Sequence, residues 1–321
     1  MVEVTRAHEE QFAESGYVVI PGVLDPKRDI EPVLAELERV LDDLAQRLHA
    51  DGRIASTYSE RPFAARMIQI CRETGSLFAQ HFDINLPQKG VRPDTPIHVG
   101  PAIFGFLTHP ALLEVVEAFI GPEIHSNPVQ HIRVKPPVDA VPGQYDVLAS
   151  RTSWHQDNGV ILPEADASDI FTVWVPLTPA TVENGCLRVI PGSHRDAVIP
   201  HCPTEKGVAI PDQLLALEQA QALPMEPGSV LLMTRRTMHG SLDNVTSDQV
   251  RISCDLRYQP IGQPTGRPGL PGFVARSRRH PERVLKDPEA WAQSWHDTRA
   301  CLAAEEDPSY NRWRTDAPMC A

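Results

Sequence analysis

In Ser153-Trp154-His155-Gln156-Asp157, one residue separates an imidazole from a carboxylate. Residues one apart on an extended strand project to the same face, because side chains alternate with a period of two. We therefore predict a strand over 150–157 that presents His155 and Asp157 side by side. Two neighbouring ligands of one metal ion require this arrangement.

The His-x-Asp pattern alone is weak evidence, because the chain contains it four times, beginning at His49, His81, His155 and His194. The first copy ends a predicted helix, the second precedes the strand-rich region, and the last follows a Pro-Gly-Ser turn. The third lies within the strand-rich region, and His239 follows late in the same region. Two histidines and one carboxylate are the facial ligand set of non-haem Fe(II) oxygenases, which leaves coordination positions open.

Six short segments have the composition of β-strands and are separated by clusters of Pro, Gly, Asn and Ser. They are 129–135, 150–157, 170–177, 186–190, 228–233 and 250–258. Helical patterns precede them, and no alternation of strand and helix follows. We predict a mainly β fold with α support, a double-stranded β-helix or jelly roll with a cupin-like core, flanked by N-terminal and C-terminal helices.

The predicted organisation is a single domain over 1–321. Residues 1–128 form a helical support and lid region, 129–258 the jelly-roll core, and 259–321 a C-terminal arm and helix. Within these regions we predict a short strand over 17–23 and helices at 33–48, 64–71, 110–120 and 288–303, with 86–96 as a loop. The apolar spacing from Val33 to Leu48 is typical of a helix face packed on a sheet.

Composition limits the possible functions. The 321 residues include 42 acidic and 30 basic side chains, and the resulting net charge of −12 disfavours nucleic-acid and anionic-membrane partners. We identify no uninterrupted apolar stretch near the ~20 residues of a membrane span. The six cysteines form no C-x-x-C pair, and we expect reduced thiols in a cytoplasmic protein.

Several segments, in this order, resemble the phytanoyl-CoA dioxygenase family of Fe(II)/2-oxoglutarate-dependent oxygenases. They are 12–23 (FAESGYVVIPGV), 154–157 (WHQD), 183–194 (ENGCLRVIPGSH), His239-Gly240-Ser241 with Asn244, and Arg251. Together they cover about residues 10 to 260, which is more specific than any one motif. The C-terminal arm lies outside the resemblance.

The resemblance implies that His155, Asp157 and His239 bind Fe(II), with 2-oxoglutarate and O2 as co-substrates and succinate and CO2 as products. Arg251 would anchor the far carboxylate of 2-oxoglutarate, because a guanidinium makes two parallel hydrogen bonds to a carboxylate. The further co-substrate contacts that we expect are Ser241, Thr172 and His131. The implied reaction is hydroxylation of a C–H bond.

Strand alternation extends this prediction to a substrate pocket. If Arg251 points inward, then Ser253, Asp255 and Arg257 do so too, while Ile252, Cys254, Leu256 and Tyr258 face the helices. The same reasoning turns His131 and Arg133 inward, and Trp174 flanks the site. The predicted pocket residues are Arg133, Trp174, Asp255 and Arg257, which would suit a small polar, charged or zwitterionic metabolite. An ion-paired structural role for the charged residues is an equal alternative.

Other functions remain open. The same iron core catalyses desaturation, epimerisation, cyclisation and bond cleavage in natural-product or phosphonate metabolism, whereas halogenation is disfavoured because Asp157 fills the position that a halide would take. A jelly-roll binding protein without turnover and a cupin-like metal enzyme without 2-oxoglutarate are further alternatives; Arg251 and Ser241 argue against the latter. We expect a monomer or a homodimer, and the sequence identifies no substrate.

Overall fold

The structure is a computed structural model that describes residues 3–204, 207–306, 310, 312, 313 and 320. Its α-helices are α1 (Arg6–Ser15), α2 (Glu31–Ala50), α3 (Phe63–Thr74), α4 (Pro101–Leu107), α5 (Pro110–Ile120) and α6 (Pro288–Ala304). Its strands are β1 (Tyr17–Ile20), β2 (Ile124–Ser126), β3 (His131–Lys135), β4 (Phe171–Pro176), β5 (Leu187–Val189), β6 (Cys202–Thr204), β7 (Gly207–Ala209), β8 (Gln221–Leu223), β9 (Val230–Thr234), β10 (His239–Ser241), β11 (Arg251–Pro260) and β12 (Phe273–Arg276).

A seven-stranded antiparallel sheet forms the main layer: six strands follow the order β1-β9-β4-β11-β2-β12, and β3 pairs with β11 off this path. The ten-residue strand β11 is its centre, because one edge pairs with β4 while the other pairs with β3 and then with β2. Arg251 lies opposite Lys135, and Asp255 lies opposite His131. Polar residues far apart in sequence are thus brought to one face of the sheet.

Alternation along β11 divides the sheet into an outer and an inner face, as the sequence predicts. Ile252, Cys254, Leu256 and Tyr258 lie in the large apolar core between the sheet and the helices. The inner face carries Arg251, Ser253, Asp255 and Arg257, all buried. The neighbouring strand β4 follows the same rule, with Val173 and Val175 in the outer core and Trp174 in the inner one.

A smaller antiparallel sheet, in the order β10-β5-β8, covers the inner face. Leu187 and Val189 of this sheet share an apolar cluster with Trp174, Leu231 and Met233 of the main sheet. The strands β6 and β7 form a separate hairpin. This two-sheet arrangement with external helices confirms the predicted jelly-roll core, although its sheets do not close into one continuous ladder.

The helices form the support layer expected for the first part of the chain. The buried face of α2 includes Val33, Leu37, Leu41, Leu44 and Leu48. The helix α5 has the predicted bounds, with the His109 side chain accepting a hydrogen bond from the N–H of Ala111. α3, α6 and the loop over 86–96 are also confirmed. The helices α1 and α4 were not predicted.

The predicted strand over 150–157 is wrong. His155 forms an isolated antiparallel bridge with His239, and Asp157 begins the 3-10 turn Asp157–Val160. The segment has no continuous neighbour to pair with, because β10 contains three residues and β5 already occupies its other edge. His155 and Asp157 are adjacent because of this bridge and turn, and not because they share a strand face.

The prediction of six reduced thiols is also wrong, because Cys202 and Cys320 are joined by a disulfide. Their Cα atoms lie 5.3 Å apart, within the range that a disulfide spans. The disulfide places Cys320 beside Cys202, the first residue of β6. The remaining cysteines are free: Cys71, Cys186 and Cys254 are buried, and Cys301 is exposed.

One segment, Pro101–Ile120, is long and apolar enough to cross a membrane by length and composition, contrary to the expectation from the sequence. The structure divides it into α4 and α5 at Thr108 and His109. Ile103, Phe106, Leu112 and Val116 from these two helices pack in the outer core. The apolar character of this segment is therefore accounted for by packing against the sheet.

Candidate metal centre

Three side chains that can bind a metal ion converge between the two sheets. His155 lies in the isolated bridge, Asp157 begins the 3-10 turn, and His239 begins β10. The Oδ1 atom of Asp157 lies 3.6 Å from Nε2 of His155 and 4.0 Å from Nε2 of His239. One potential ligand atom from each residue lies within 4.8 Å of the other two, and all three residues are buried.

Backbone contacts fix both imidazoles in the tautomer that suits metal binding. The Nδ1 atom of His155 lies 2.9 Å from the carbonyl oxygen of Ser153, and that of His239 lies 2.9 Å from the carbonyl oxygen of Thr237. A carbonyl oxygen only accepts, so each Nδ1 carries the proton and donates it. Each Nε2 therefore keeps a free lone pair, directed to the centre of the cluster.

Two inner-face residues hold the carboxylate of Asp157. The hydroxyl of Thr172 donates to Oδ2, and Nη2 of Arg257 contacts Oδ1. The sequence places Thr172 beside the co-substrate and Arg257 in the substrate pocket. The structure places both beside the metal-ligand cluster, and their contacts with co-substrate or substrate stay predictions.

Charge and burial shape the protonation of the cluster. Burial by itself raises the pKa of the Asp157 carboxyl, but Arg257 and the histidines outweigh it and hold that pKa well below its usual range. Burial first, and then the neighbouring His155, lower the pKa of His239 to about 4. An anionic carboxylate beside a neutral imidazole is the donor set that a divalent metal ion requires.

Two buried residues support the turn between the ligands and were not identified from the sequence. Nε2 of His201 accepts a hydrogen bond of 2.9 Å from the N–H of Gln156, the residue between His155 and Asp157. The Gln156 side chain donates to the carbonyls of Ala197 and Arg236. His201 itself is buried.

The C-terminal segment packs on the outside of the same turn. The indole N–H of Trp313 donates to the carbonyl of Gly159 at 2.5 Å, and the Trp313 ring stacks on His201. Arg312 donates to the carbonyl of Asn158 at 3.1 Å and pairs with Asp166. The arm therefore reaches the turn that begins at Asp157, although it lies outside the sequence motifs.

Two basic side chains, Arg251 and Lys135, lie at one end of the inner face, which we call the cationic end. Nη1 of Arg251 donates to Ser253 at 2.5 Å and its Nη2 to the carbonyl of Gly185 at 3.1 Å. Its Nε is buried without a hydrogen-bond partner, and so is the indole N–H of Trp174, whose ring centre lies 5.6 Å from the guanidinium carbon. Lys135 lies opposite Arg251 across the strand pair and contacts Ser241.

This end fits the far carboxylate of a 2-oxo dicarboxylic acid. Among the described residues, no carboxylate lies within ion-pairing distance of Arg251 or Lys135. Buried donors without acceptors and buried cations without anions are both costly, and an anionic ligand would satisfy them. The residues present therefore fit both groups that the sequence implies, a divalent metal ion and 2-oxoglutarate.

The remaining predicted pocket residues are paired with each other. Arg133 forms an ion pair with Asp255, and its Nη1 donates to the carbonyl of Val147 at 2.8 Å. His131, a predicted co-substrate contact, lies 2.8 Å from Asp83 through Nδ1. The structure thus brings these residues to one face, and Arg133 and Asp255 already compensate each other's charge.

A pocket opens between the loop over 86–96 and the C-terminal arm. Polar and apolar side chains line it in similar numbers, and His131 connects it to the inner face of the sheet; the lining includes Asn85, Leu86, Gln88, Val129, His131, Arg267, Leu270, Leu302 and Tyr310. Arg267 is buried, and its guanidinium donates to the carbonyls of Tyr310 and Val160.

Comparison with known proteins identifies relatives of the chain. The family model described as phytanoyl-CoA dioxygenase matches residues 12–253. The 1-deoxypentalenic acid 11-beta-hydroxylase of Streptomyces arenae is 34% identical over 170 residues, which are 49% of this chain and 57% of that protein. The chain thus spans little more than half the length of this curated relative.

Solved structures share the fold. EvdO2 from Micromonospora carbonacea var. aurantiaca, complexed with 2-oxoglutarate, superposes with a TM-score of 0.53 at 22% identity, over 89% of this chain and 98% of that one. The non-heme monooxygenase ThoJ, in its apo form, gives a TM-score of 0.58 at 19% identity, over 92% and 98% of the respective chains. At these identities the likeness concerns the fold alone.

Proposed function

The chain belongs to the phytanoyl-CoA dioxygenase family, and we propose that it is an Fe(II)/2-oxoglutarate-dependent dioxygenase that hydroxylates a C–H bond of a small molecule, with release of succinate and CO2. The observation that carries the proposal is the convergence of His155, Asp157 and His239 in one buried cluster. The cationic end at Arg251, on the same inner face, supports the choice of co-substrate.

When bound, Fe(II) would couple the reduction of O2 to the oxidative decarboxylation of 2-oxoglutarate and to the oxidation of a substrate C–H bond. His155 and His239 would hold the metal through Nε2, and Asp157 through its carboxylate. Arg251 and Ser241 would hold the far carboxylate of 2-oxoglutarate. The two sheets bury these groups, which excludes water and strengthens each charged contact.

The substrate would reach the cluster through the pocket beside His131. The charged residues that suggested a zwitterionic substrate, Arg133, Asp255 and Arg257, already have partners, which favours their structural role. The mixed lining suits a molecule with an apolar body and a polar or acidic group. The name of the Streptomyces arenae relative, a hydroxylase of an organic acid, agrees with this choice.

We also propose that the three regions serve one site. Residues 129–258 would supply the metal and co-substrate contacts, while 1–128 and 259–321 would support the sheet and shape the entrance. The pocket lining supports this division, because it combines Leu86, His131 and Leu270 from the three regions.

The test is turnover with Fe(II), 2-oxoglutarate and a panel of organic acids and neutral metabolites. We expect substrate-stimulated O2 uptake and succinate formation in the wild type and none in His155→Ala, with Arg6→Met, whose side chain is 89% exposed, behaving as wild type. A product heavier by one oxygen atom identifies hydroxylation. An unchanged mass would indicate epimerisation, and a loss of two hydrogens would indicate cyclisation or desaturation. Failure of the wild-type protein to bind 2-oxoglutarate would reject the proposal.

A further inference from the structure

A lysine lies at the cationic end of the inner face, beside the arginine that the motifs identify. Lys135 ends β3 and lies opposite Arg251 in the strand register, so both side chains project to the same face. Its side chain is buried, and Nζ lies 2.7 Å from the Ser241 hydroxyl and 3.1 Å from the Thr152 hydroxyl. Both of these contacts are neutral.

Two adjacent buried cations need an anion. Burial, followed by repulsion from Arg251 and Arg133, lowers the pKa of Lys135 well below its usual range, while Asp255 and Asp243 oppose this shift. Neither carboxylate forms an ion pair with the amine in the described part of the chain. Without an anion, burial and the neighbouring guanidinium groups therefore disfavour the charged form of Lys135.

We propose that Lys135 binds the far carboxylate of 2-oxoglutarate together with Arg251. This inference rests on the proposed function and adds a second cation to its co-substrate site. The carboxylate supplies the missing negative charge and so favours the ammonium form of Lys135.

The neighbouring hydroxyl explains why a lysine suits this position. The Ser241 oxygen accepts from Nζ of Lys135 and from the N–H of Thr152, at 2.7 and 2.8 Å. With its oxygen occupied by two donors, the Ser241 hydroxyl hydrogen is free to point to a third group. Lys135 thus both binds the carboxylate and sets the direction in which Ser241 donates.

The first test compares two ligands that differ at one end. 2-Oxopentanoate has the same oxo-acid end as 2-oxoglutarate, but a methyl group replaces the far carboxylate. Calorimetric titration of Mn(II)-loaded protein without O2 should show that the wild type prefers 2-oxoglutarate. In Lys135→Met we expect 2-oxoglutarate to bind about 30-fold more weakly or worse, because a buried charge loses its partner, with 2-oxopentanoate binding unchanged.

The second test counts protons, which a merely structural lysine would not affect. Titrations in two buffers of different ionisation enthalpy should show greater proton uptake by the wild type than by Lys135→Met when 2-oxoglutarate binds. The exposed residue Lys286 supplies the matched control, because Lys286→Met should behave as wild type. If Lys135→Met does not fold, Lys135→Gln takes its place in both tests.

The outcomes separate this inference from the proposed function. A wild-type protein that binds neither acid would reject both. A Lys135→Met variant that keeps the full preference for the dicarboxylate, or that takes up as many protons as the wild type, would overturn the role of Lys135 and leave the proposed function standing.

Discussion

Arg257 pairs with Oδ1 of Asp157, the carboxylate oxygen that also lies nearest to both histidines. The guanidinium is itself fixed, because its Nη1 donates to the carbonyl of Val129 at 2.8 Å. The carboxylate is therefore held in place and kept anionic by the main sheet, while both histidines belong to the backbone bridge at β10. The cluster of His155, Asp157 and His239 therefore depends on contacts with both sheets.

The hydroxyl of Thr172 provides the first prediction, because it donates to Oδ2 of Asp157. Thr172→Val keeps the shape of the side chain and removes this hydrogen bond. We expect the affinity for Fe(II) or Co(II) to fall about 10- to 100-fold, as is typical when a residue that orients a metal ligand is changed. Anaerobic metal titration followed by absorbance measures the effect.

The matched control is Thr298→Val on α6, whose hydroxyl bonds to the carbonyl of Ser294 far from the cluster in sequence. It should bind metal as the wild type does. Equal dissociation constants for Thr172→Val and wild type would show that the hydroxyl does not orient the carboxylate.

His201 provides the second prediction. Its Nδ1 lies 2.8 Å from the carbonyl of Ile199 and donates to it, which leaves Nε2 to accept from the N–H of Gln156. His201→Phe keeps a ring against Trp313 and leaves that N–H without an acceptor. We expect a loss of about 1–3 kcal/mol in the free energy of unfolding, and weaker metal binding, because Gln156 lies between two ligands.

Urea unfolding and metal titration measure both effects. His280→Phe, at a side chain that is 58% exposed, is the control and should change neither quantity. Metal affinity equal to that of the wild type, in a His201→Phe variant that is less stable, would restrict the role of His201 to folding.

The sequence predicts the parts of the fold that depend on local periodicity. Alternation along β11 correctly separates Arg251 and Asp255 from Ile252 and Leu256, and the 3.6-residue spacing correctly locates α2 and α5. The same alternation would have identified Lys135, which is two residues beyond Arg133 on β3.

Other features depend on contacts between distant segments, which leave no local pattern. His201 is buried because Trp313, from the C-terminal segment, stacks on it, and Cys202 finds its partner 118 residues away. The segment 150–157 has the composition of a strand, but a strand also needs a neighbour with free hydrogen-bonding groups, and the sequence does not show where that neighbour ends. His155 therefore forms only a single β-bridge, with His239.

The third prediction concerns acid stability and His81, which is distant from the metal ligands in sequence. Burial first, and then Arg47, lower the pKa of His81 to about 4 from an ordinary value of 6.5. Because the folded-state pKa is depressed, the stabilisation is complete above pH ~6.5 and is lost as pH falls through about 4, when the unfolded chain binds the proton first.

We therefore expect the metal-free wild type to lose stability between these pH values, and His81→Leu to lose about 1 kcal/mol less between pH 7 and pH 5, with allowance for partial exposure of the ring. Urea unfolding at the two pH values measures the difference. His201 and His239 also have depressed pKa values, so a residual pH dependence remains in the variant. An identical pH dependence in both proteins would contradict the burial argument.

The disulfide between Cys202 and Cys320 provides the last prediction, because it anchors the C-terminal segment whose Trp313 and Arg312 contact the turn after Asp157. Opening this 118-residue loop should lower the free energy of unfolding by about 2–4 kcal/mol, since the unfolded chain gains freedom. Cys320→Ser should show this loss of stability. Dithiothreitol should cause the same loss in the wild type and no further loss in Cys320→Ser.

Mass spectrometry after thiol labelling checks the assignment of the disulfide. Without reductant, the exposed Cys301 should react, and Cys202 should react only in Cys320→Ser. Labelling of Cys202 in the unreduced wild type would show that the pair is open and that the segment is held by its other contacts alone.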